Sequence, residues 1–355
     1  MAEPLVEVTR GPSVESFHRG HLVAVEGGGR LVARLGSGAA VAFMRSATKP
    51  FQALPLVASG AADRFGFVGR ELAIACGSHN GERAHTDAVR SMLSKAGLSV
   101  SDLRCGAHEP YGKGAAEELR AKGERPTALH NNCSGKHAGM LALALHLGAP
   151  TVDYLKPESP VQRAVFRAVS HYAEVPEAEL EFATDGCGVP TFALTIEQMA
   201  RMFARLVAHA DADARLGEEL RGVVCRESAQ RVLSVMLAYP EMVEGEGELD
   251  TELMRAGAGR FVSKVGAEGV YAAGVLPCER WPKGLGLAFK IEDGDKGDRA
   301  RNVAAVASLG RLGVLGDAEL KSLAAFAHKT LTNHRGDEVG EVRPSQALSS
   351  LQLEV

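Results

Sequence analysis

The residues that best suit hydrolytic chemistry are a serine and a lysine three positions apart, Ser46 and Lys49. One turn of helix would place the lysine amine beside the serine hydroxyl. A neutral lysine there can take the proton of a serine nucleophile. The spacing alone is weak evidence, because a chain of this length should contain roughly one such pair by chance. A serine at a helix start is also more often a simple cap.

Two further motifs favour the catalytic interpretation. Ser78-His79-Asn80 has the pattern Ser-x-Asn, and Lys264-Val265-Gly266 has the pattern Lys-x-Gly within a strand-like run. Penicillin-recognising serine enzymes carry the same three elements in the same order. Three short motifs in the correct order coincide by accident much less often than any one of them. We therefore predict that Ser46, Lys49, Ser78 and Lys264 are catalytic.

Apolar and turn-forming residues predict antiparallel strands at both ends of the chain and helices between them. The predicted strands are Leu5–Arg10, His21–Glu26, Arg30–Leu35, Phe261–Ala272 and Leu285–Ile291. The predicted helices include Glu82–Ala96, Ala138–Leu147, Pro157–Val169, Ile196–His209, Glu218–Leu237, Asp298–Leu312 and Asp317–Lys329.

This pattern predicts an α/β fold in which an antiparallel sheet is flanked by helices and carries an inserted helical lobe. We expect residues 1–45 and 256–355 to form the sheet lobe and residues 46–255 the mainly helical lobe. The chain has no evident flexible linker, so the two lobes should form one structural unit with the active site at their seam.

Composition narrows the class of protein. Among 355 residues, 45% are apolar and 24% are charged, and the net charge of -4 argues against nucleic-acid binding. The longest uncharged apolar run is far short of the ~20 residues of a membrane span. The N-terminus does not have the form of a signal peptide, so we expect a cytoplasmic protein. Its six cysteines should then be reduced, as core residues, metal ligands or nucleophiles.

Five motifs together resemble the rhizobial-type, thermolabile L-asparaginase family, and the likeness runs from Val6 to Arg343. The motifs are Arg45-Ser46-Ala47-Thr48-Lys49-Pro50, Ser78-His79-Asn80-Gly81-Glu82, Cys133-Ser134-Gly135-Lys136-His137, Asp185-Gly186-Cys187-Gly188 and Lys290-Ile291-Glu292-Asp293-Gly294-Asp295. The resemblance implies a fold similar to serine β-lactamases and glutaminases, hydrolysis of L-asparagine, and homodimers. It also implies the pairs Ser46–Lys49 and Ser78–Lys264, and a zinc site made by Cys133, Lys136 and Cys187.

Amide hydrolysis requires a nucleophile, a base, oxyanion donors and an acid for the departing ammonia. We expect Ser46 to attack and Lys49 to act as its base. Ser78, held by Lys264, would relay the proton to the leaving nitrogen, although Ser78 as the attacking group is a competing assignment. Burial and nearby positive charge would keep Lys49 neutral.

The remaining candidate residues would bind the substrate. We assign Arg45 and Asp185 to the charged ends of the amino acid, and the backbone N–H groups of Ser46 and Ala267 to the oxyanion. Asn80, Asn132 and His137, in the polar loops, complete the set of candidate substrate contacts.

Two questions stay open at this point. Chemistry alone favours His137 over Lys136 as the third zinc ligand, because a lysine must lose its proton before it coordinates a metal. The sequence also allows a glutaminase or broader amidase, since one methylene contributes only ~1 to 3 kcal/mol of discrimination. A non-catalytic, zinc-containing amino-acid sensor is the alternative from a different class.

Overall fold

The structure is a computed structural model that describes residues 1–211, 220 and 222–354. The chain groups into two compact units. The first comprises Met1–Ala47, Leu194–Ala208 and Glu252–Val355, and the second comprises Thr48–Ala193 and His209–Thr251. Residues 194–208, which the sequence placed in the helical lobe, therefore group with the sheet.

The strands of the described chain lie mainly in the first unit. They are β1 Glu3–Arg10, β2 Ser13–Glu26, β3 Leu31–Leu35, β4 Val41–Phe43, β5 Phe182–Thr184, β6 Pro190–Thr195, β7 Phe261–Gly266, β8 Val270–Val275, β9 Leu285–Ile291, β10 Lys329–Thr332 and β11 Glu338–Pro344. The main sheet has the order β10-β11-β1-β2-β9-β8-β7. Strand β3 pairs with the C-terminal part of β2, from Leu22 to Val25. Its strand pairs are antiparallel, which confirms the predicted sheet.

Helices dominate the middle of the chain, as the sequence predicts. They are α1 Lys49–Ala58, α2 Ala61–Arg64, α3 Gly69–Ala75, α4 Arg83–Lys95, α5 Lys113–Ala121, α6 Ser134–His146, α7 Pro160–Ala173, α8 Ile196–Asp211, α9 Arg226–Ala238, α10 Pro240–Val243, α11 Leu249–Ala256, α12 Arg299–Arg311, α13 Asp317–Ser322, α14 Ala324–Ala327 and α15 Gln346–Ser349. No helix within the described part of the chain is both long and apolar enough to span a membrane.

In the first unit, α8 packs directly on the sheet because two paired glycines leave room for it. Gly274 in β8 lies opposite Gly286 in β9. A Cβ atom added at Gly286 would lie 1.9 Å from the Ala200 carbonyl oxygen of α8, and one added at Gly274 would lie 2.9 Å from a Val207 methyl group. Any larger residue would push the helix away. This close contact explains why residues 194–208 group with the sheet. Helices α12 and α15 also contact the sheet through β1.

The second unit is built around α6, which contacts α1, α3, α4 and α7. Its residues Ser134 to Ala144 are all buried, as expected for a helix that is enclosed on every side. Gly135 allows close approach to α3, since an added Cβ would lie 2.5 Å from the Ile74 carbonyl oxygen. The start of α6, which carries the polar motif Cys133 to His137, is therefore held rigidly.

Three predicted helices differ from the structure. The segment at Ser46 begins as a 3-10 turn, Arg45–Thr48, and the α-helix starts only at Lys49, where Pro50 suits the first turn. The segment Asp317–Lys329 breaks into two short helices, and Lys329 begins β10. Within Glu218–Leu237, residues 218, 219 and 221 lie outside the described residues, and α9 begins at Arg226.

Candidate active site

Lys49 is the centre of the candidate site. It is the first residue of α1 and its side chain is completely buried. Its Nζ lies 2.8 Å from the Ser78 hydroxyl and donates to the Asn132 carbonyl oxygen at 3.3 Å. The structure thus brings Lys49 to Ser78, the serine that the sequence analysis paired with Lys264. A buried lysine in contact with a serine hydroxyl has the geometry of a base or proton relay.

Ser46 lies in the 3-10 turn that runs directly into α1, so its chain position is three residues before Lys49. Its neighbour Arg45 has a φ of 51°, in the left-handed region that an arginine adopts only at a cost. Such strain at a non-glycine residue is often found where a turn must present a functional side chain. Both Arg45 and Ser46 are half-buried.

Lys264 lies in β7 opposite Ala272 and is completely buried. Its Nζ donates to the Val265 carbonyl oxygen at 3.1 Å. Ala267 occupies the exposed turn between β7 and β8, where Glu268 has a φ of 62°. The role of Lys264 as partner of a serine, and that of the Ala267 N–H as an oxyanion donor, stay predictions.

His79 joins the Ser78 loop to the loop before α6. The Gly81 N–H donates to its Nδ1 at 3.2 Å, so Nε2 carries the proton and donates to Ser134 Oγ at 2.8 Å. Ser134 in turn donates to the Leu129 carbonyl oxygen. Burial, followed by the charges of His85 and Lys49, lowers the pKa of His79 well below 6.5. The ring is therefore neutral and fully hydrogen-bonded, which fixes the two loops to each other.

Asn80 holds the local backbone. Its Nδ2 donates to Glu82 at 2.9 Å, and its backbone oxygen accepts from the Gly112 N–H. The amide packs so closely on Gly245 that a Cβ there would lie 2.2 Å from Nδ2. Asn80 Oδ1 is buried, with no hydrogen-bond partner among the described residues, and the predicted substrate contact of Asn80 stays a prediction.

Three side chains of the predicted zinc site lie together at the start of α6. Lys136 Nζ donates to Cys187 Sγ at 3.1 Å, and Cys187 is hydrogen-bonded to Cys133. That bond, with the charge of Lys136, lowers the pKa of Cys187 to about 5. The same bond and burial raise the pKa of Cys133 to about 12. The group is thus a thiolate that accepts hydrogen bonds from a thiol and an ammonium.

Asp185 adds a second negative charge beside this group. Its Oδ2 lies 3.7 Å from Cys187 Sγ, in a tight loop closed by the bond from the Gly188 N–H to the Asp185 carbonyl oxygen. Burial alone would lower the pKa of Lys136, but the negative charges of Cys187 and Asp185, with the hydrogen bond to Cys187, outweigh it and raise the pKa. Lys136 is therefore an ammonium in this arrangement.

The donor set fits a zinc ion. Within residues 1–211, 220 and 222–354, no three His, Cys, Asp or Glu side chains are grouped as a metal site. Two sulfur atoms and one amine nitrogen do converge at Cys133, Cys187 and Lys136, and soft sulfur donors suit zinc. Cys133 and Lys136 would each have to lose a proton before they could coordinate the ion.

His137 is oriented by Tyr154 rather than by this sulfur group. The Arg104 N–H donates to the Tyr154 hydroxyl oxygen at 3.0 Å, and His137 Nδ1 lies 2.7 Å from that oxygen. The simplest assignment of protons has Tyr154 donating to Nδ1, which leaves the proton on Nε2. Nε2 is buried, with no hydrogen-bond partner among the described residues. A protonated Nε2 argues against His137 as the third metal ligand, the choice that chemistry alone favoured.

Sequence reasoning missed His79, His108, Ser134 and Tyr154. His79 stands inside the Ser-x-Asn motif and Ser134 inside the Cys133–His137 motif, so both could have been considered, whereas no local pattern points to His108 or Tyr154. Their partners lie tens of residues away in the chain.

Comparisons with solved structures give weak likenesses to glutaminases. The Bacillus subtilis glutaminase YbgJ, in covalent complex with 5-oxo-L-norleucine, is 14% identical, with a TM-score of 0.37 over 81% of this chain and 87% of its own. A Bacillus glutaminase crystallised at high salt is 15% identical, with a TM-score of 0.37 over 82% of this chain and 91% of its own. A search of curated proteins found no match.

A family model described as L-asparaginase II matches residues 6–344. The matched range contains every candidate catalytic and metal-binding residue and leaves only the two termini outside. The chain therefore belongs to the L-asparaginase II family.

Proposed function

We propose that this protein hydrolyses the side-chain amide of L-asparagine to L-aspartate and ammonia, with serine and lysine as the catalytic groups. Membership of the L-asparaginase II family supports an amidohydrolase. The observation that carries the Ser-Lys mechanism is the buried amine of Lys49, 2.8 Å from the Ser78 hydroxyl and three residues after Ser46.

In the proposed reaction, the Ser46 oxygen attacks the amide carbon and its proton passes to the neutral Lys49 amine. The proton then moves from Lys49 through the Ser78 hydroxyl to the amide nitrogen, and the carbon–nitrogen bond breaks to release ammonia. This leaves a β-aspartyl ester on Ser46. A water molecule gives a proton to Lys49 and attacks the ester carbon. The bond to the Ser46 oxygen then breaks and that oxygen takes the proton back from Lys49, which releases aspartate and restores both residues. The contact of Lys49 with Ser78 supports the relay step.

The other assignments follow the sequence analysis. Lys264 would supply positive charge that disfavours the ammonium form of Lys49. The N–H groups of Ser46 and Ala267 would bind the oxyanion, and Arg45 and Asp185 would bind the two charged ends of the substrate.

Cys133, Lys136 and Cys187 would hold the zinc ion, which when bound supplies a fixed positive charge that orients the charged ends of the substrate. His137 would donate a hydrogen bond from Nε2–H to the substrate and would not coordinate the metal. The homodimer that the resemblance implies and a cytoplasmic location stay predictions.

The test is release of ammonia from L-asparagine and from L-glutamine by the wild type, Ser46→Ala and Ser78→Ala. We expect turnover of asparagine and a loss of at least about a hundredfold in kcat in both variants, because Ser46→Ala removes the nucleophile and Ser78→Ala removes the proton relay. Ser159→Ala is the control. Ser159 is a buried serine whose hydroxyl caps α7 by accepting from the Gln162 N–H and donates to the Tyr154 carbonyl oxygen.

Each alternative predicts a different result. Glutamine preferred over asparagine would favour the glutaminase, and binding without ammonia release would favour the sensor. Mass spectrometry of the trapped acyl-enzyme identifies the nucleophile, and an ester on Ser78 would reverse the roles of the two serines.

A further inference from the structure

His108 lies outside every motif of the sequence analysis, yet both of its ring nitrogens are bound to the backbone. Its Nδ1 lies 2.7 Å from the Glu109 carbonyl oxygen, and its Nε2 lies 3.0 Å from the Asn132 backbone nitrogen. A carbonyl oxygen can only accept and a backbone N–H can only donate. The proton of the ring is therefore on Nδ1, and Nε2 accepts the hydrogen bond from Asn132.

Asn132 connects this histidine to the candidate base. Its N–H is held by His108, and its own carbonyl oxygen accepts from Lys49 Nζ at 3.3 Å. Lys49 is in turn 2.8 Å from the Ser78 hydroxyl. A short series of hydrogen bonds thus runs from the His108 ring through one residue of backbone to the lysine amine.

The surroundings of His108 favour a fixed ring. The Tyr111 ring stacks on it, with centroids 4.7 Å apart and planes inclined by 23°. On the far side of Asn132, the Asn131 side chain accepts from the Cys133 N–H at 2.8 Å and donates to the Cys105 carbonyl oxygen. Asn132 is consequently held from both directions, and His108 provides the hold on its N-terminal side.

We propose that His108 is a positioning residue, whose Nε2 keeps the Asn132 carbonyl oxygen on Lys49 and so aims the lysine amine at the serine hydroxyl. This inference rests on the proposed function, because it assigns a role in the Ser-Lys reaction. His108 itself touches neither serine nor substrate, and it acts only through Asn132. Without His108, the N–H of the peptide between Asn131 and Asn132 loses its acceptor. That peptide still accepts from the Ser134 N–H at 2.9 Å, and the next one still donates from the Cys133 N–H to Asn131. We therefore expect the Asn132 carbonyl oxygen to shift relative to Lys49 rather than to turn away.

The experiment compares His108→Gln with His108→Leu. A glutamine side chain can place its amide oxygen near the position of Nε2 and accept from the Asn132 N–H, whereas leucine has similar bulk and no acceptor. We expect kcat for ammonia release to fall about tenfold to a hundredfold in His108→Leu, since small misplacements of catalytic groups have effects of that size. KM should change less than about twofold, and His108→Gln should recover most of kcat.

His130→Leu is the matched control. His130 lies in the same loop region and its Nδ1 accepts from the Thr127 N–H at 3.0 Å, so the control also removes a histidine bound to backbone. It should leave kcat close to the wild-type value. An equal loss of kcat in His130→Leu and His108→Leu would show that removing either histidine simply loosens the loop. That result would overturn the proposal.

Nitrogen-15 NMR of histidine-labelled protein tests the geometry without any activity. The His108 signals, identified as those missing from His108→Gln, should show the proton on Nδ1. A proton on Nε2 would overturn the proposal, as would unchanged kcat in His108→Leu when the wild type is active. If the wild type releases no ammonia, the proposed function fails, and a tautomer with the proton on Nε2 would then reject the His108 assignment separately.

Discussion

Replacing Lys49 with methionine separates a catalytic lysine from a structural one. The side chain is 0% exposed, and methionine has similar length and no charge. Burying an amine costs free energy that a buried methionine does not, and this difference favours the variant. The opposing cost is the acceptor that Lys49 leaves behind on Asn132, about 1 to 3 kcal/mol if that oxygen stays dry.

Two features of the structure reduce that cost. Asn132 is half-buried, so water can reach its carbonyl oxygen, and the Ser78 hydroxyl is half-buried and can rotate to another acceptor. We therefore expect Lys49→Met to unfold at the wild-type temperature or a few degrees above it, since about 1 kcal/mol raises Tm by ~2 to 4 °C in a protein of moderate size. Ammonia release should fall by about a hundredfold to ten-thousandfold, because the general base is lost.

Lys95→Met is the control in the same unit. Lys95 is 32% exposed and forms a 2.7 Å ion pair with Glu71, whose carboxylate is 4% exposed. Its removal leaves a buried carboxylate without its cation, so Tm should fall while kcat stays unchanged. The assays are thermal unfolding followed by circular dichroism and ammonia release from L-asparagine. A Lys49→Met protein that loses stability as much as Lys95→Met, or that keeps more than about a tenth of wild-type kcat, would refute the role of Lys49 as base.

Three other predictions concern pH, backbone strain and metal. Burial lowers the pKa of His79 below 6.5, so as pH falls through 6.5 the unfolded chain binds a proton that the folded chain does not. Stability should therefore decrease by up to ~1.4 kcal/mol per pH unit below that point, and urea unfolding at several pH values should show a shallower decrease in His79→Gln. Arg45→Gly should be more stable than Arg45→Ala by about 1 kcal/mol, because glycine adopts the positive φ without strain. KM for asparagine should rise about tenfold to a hundredfold in both variants, because both lose the guanidinium. Equal stabilities of the two variants would show that the backbone at Arg45 is not strained. Cys187→Ser should lose bound zinc, measured by mass spectrometry of the metal, and should bind asparagine more weakly. Replacing the exposed Cys278 with serine should change neither property. Full loss of zinc with unchanged affinity for asparagine would reject the orienting role of the metal.

Sequence reasoning predicted the features that depend on local pattern. Alternating apolar residues gave the strands of the antiparallel sheet, and the polar run from Asn131 to His137 followed by an apolar segment gave the buried helix α6. The start of α1 was placed too early, because a serine near a helix start does not distinguish an α-helix from the 3-10 turn that precedes one.

Features that depend on contacts between distant residues could not be predicted. Helix α8 groups with the sheet because Gly274 and Gly286 lie opposite each other, and that register is set by the pairing of two strands. Tyr154 and His108 act on residues 17 and 24 positions away. Neither distance corresponds to a helical or strand repeat, so no window along the chain contains the signal.

The proposed chemistry uses the three-residue spacing of Ser46 and Lys49, but this spacing alone does not make the lysine a base. Many proteins contain a serine and a lysine one turn apart, and most such lysines extend into water with their protons in place. Lys49 differs because it is buried against a hydroxyl 29 residues away and a carbonyl oxygen 83 residues away. The loops that carry these two groups are joined by neutral His79, so the partners of the amine are fixed before any substrate arrives. A base whose partners are already in place needs little rearrangement during proton transfer, and that preorganisation is the physical argument for catalysis at Lys49.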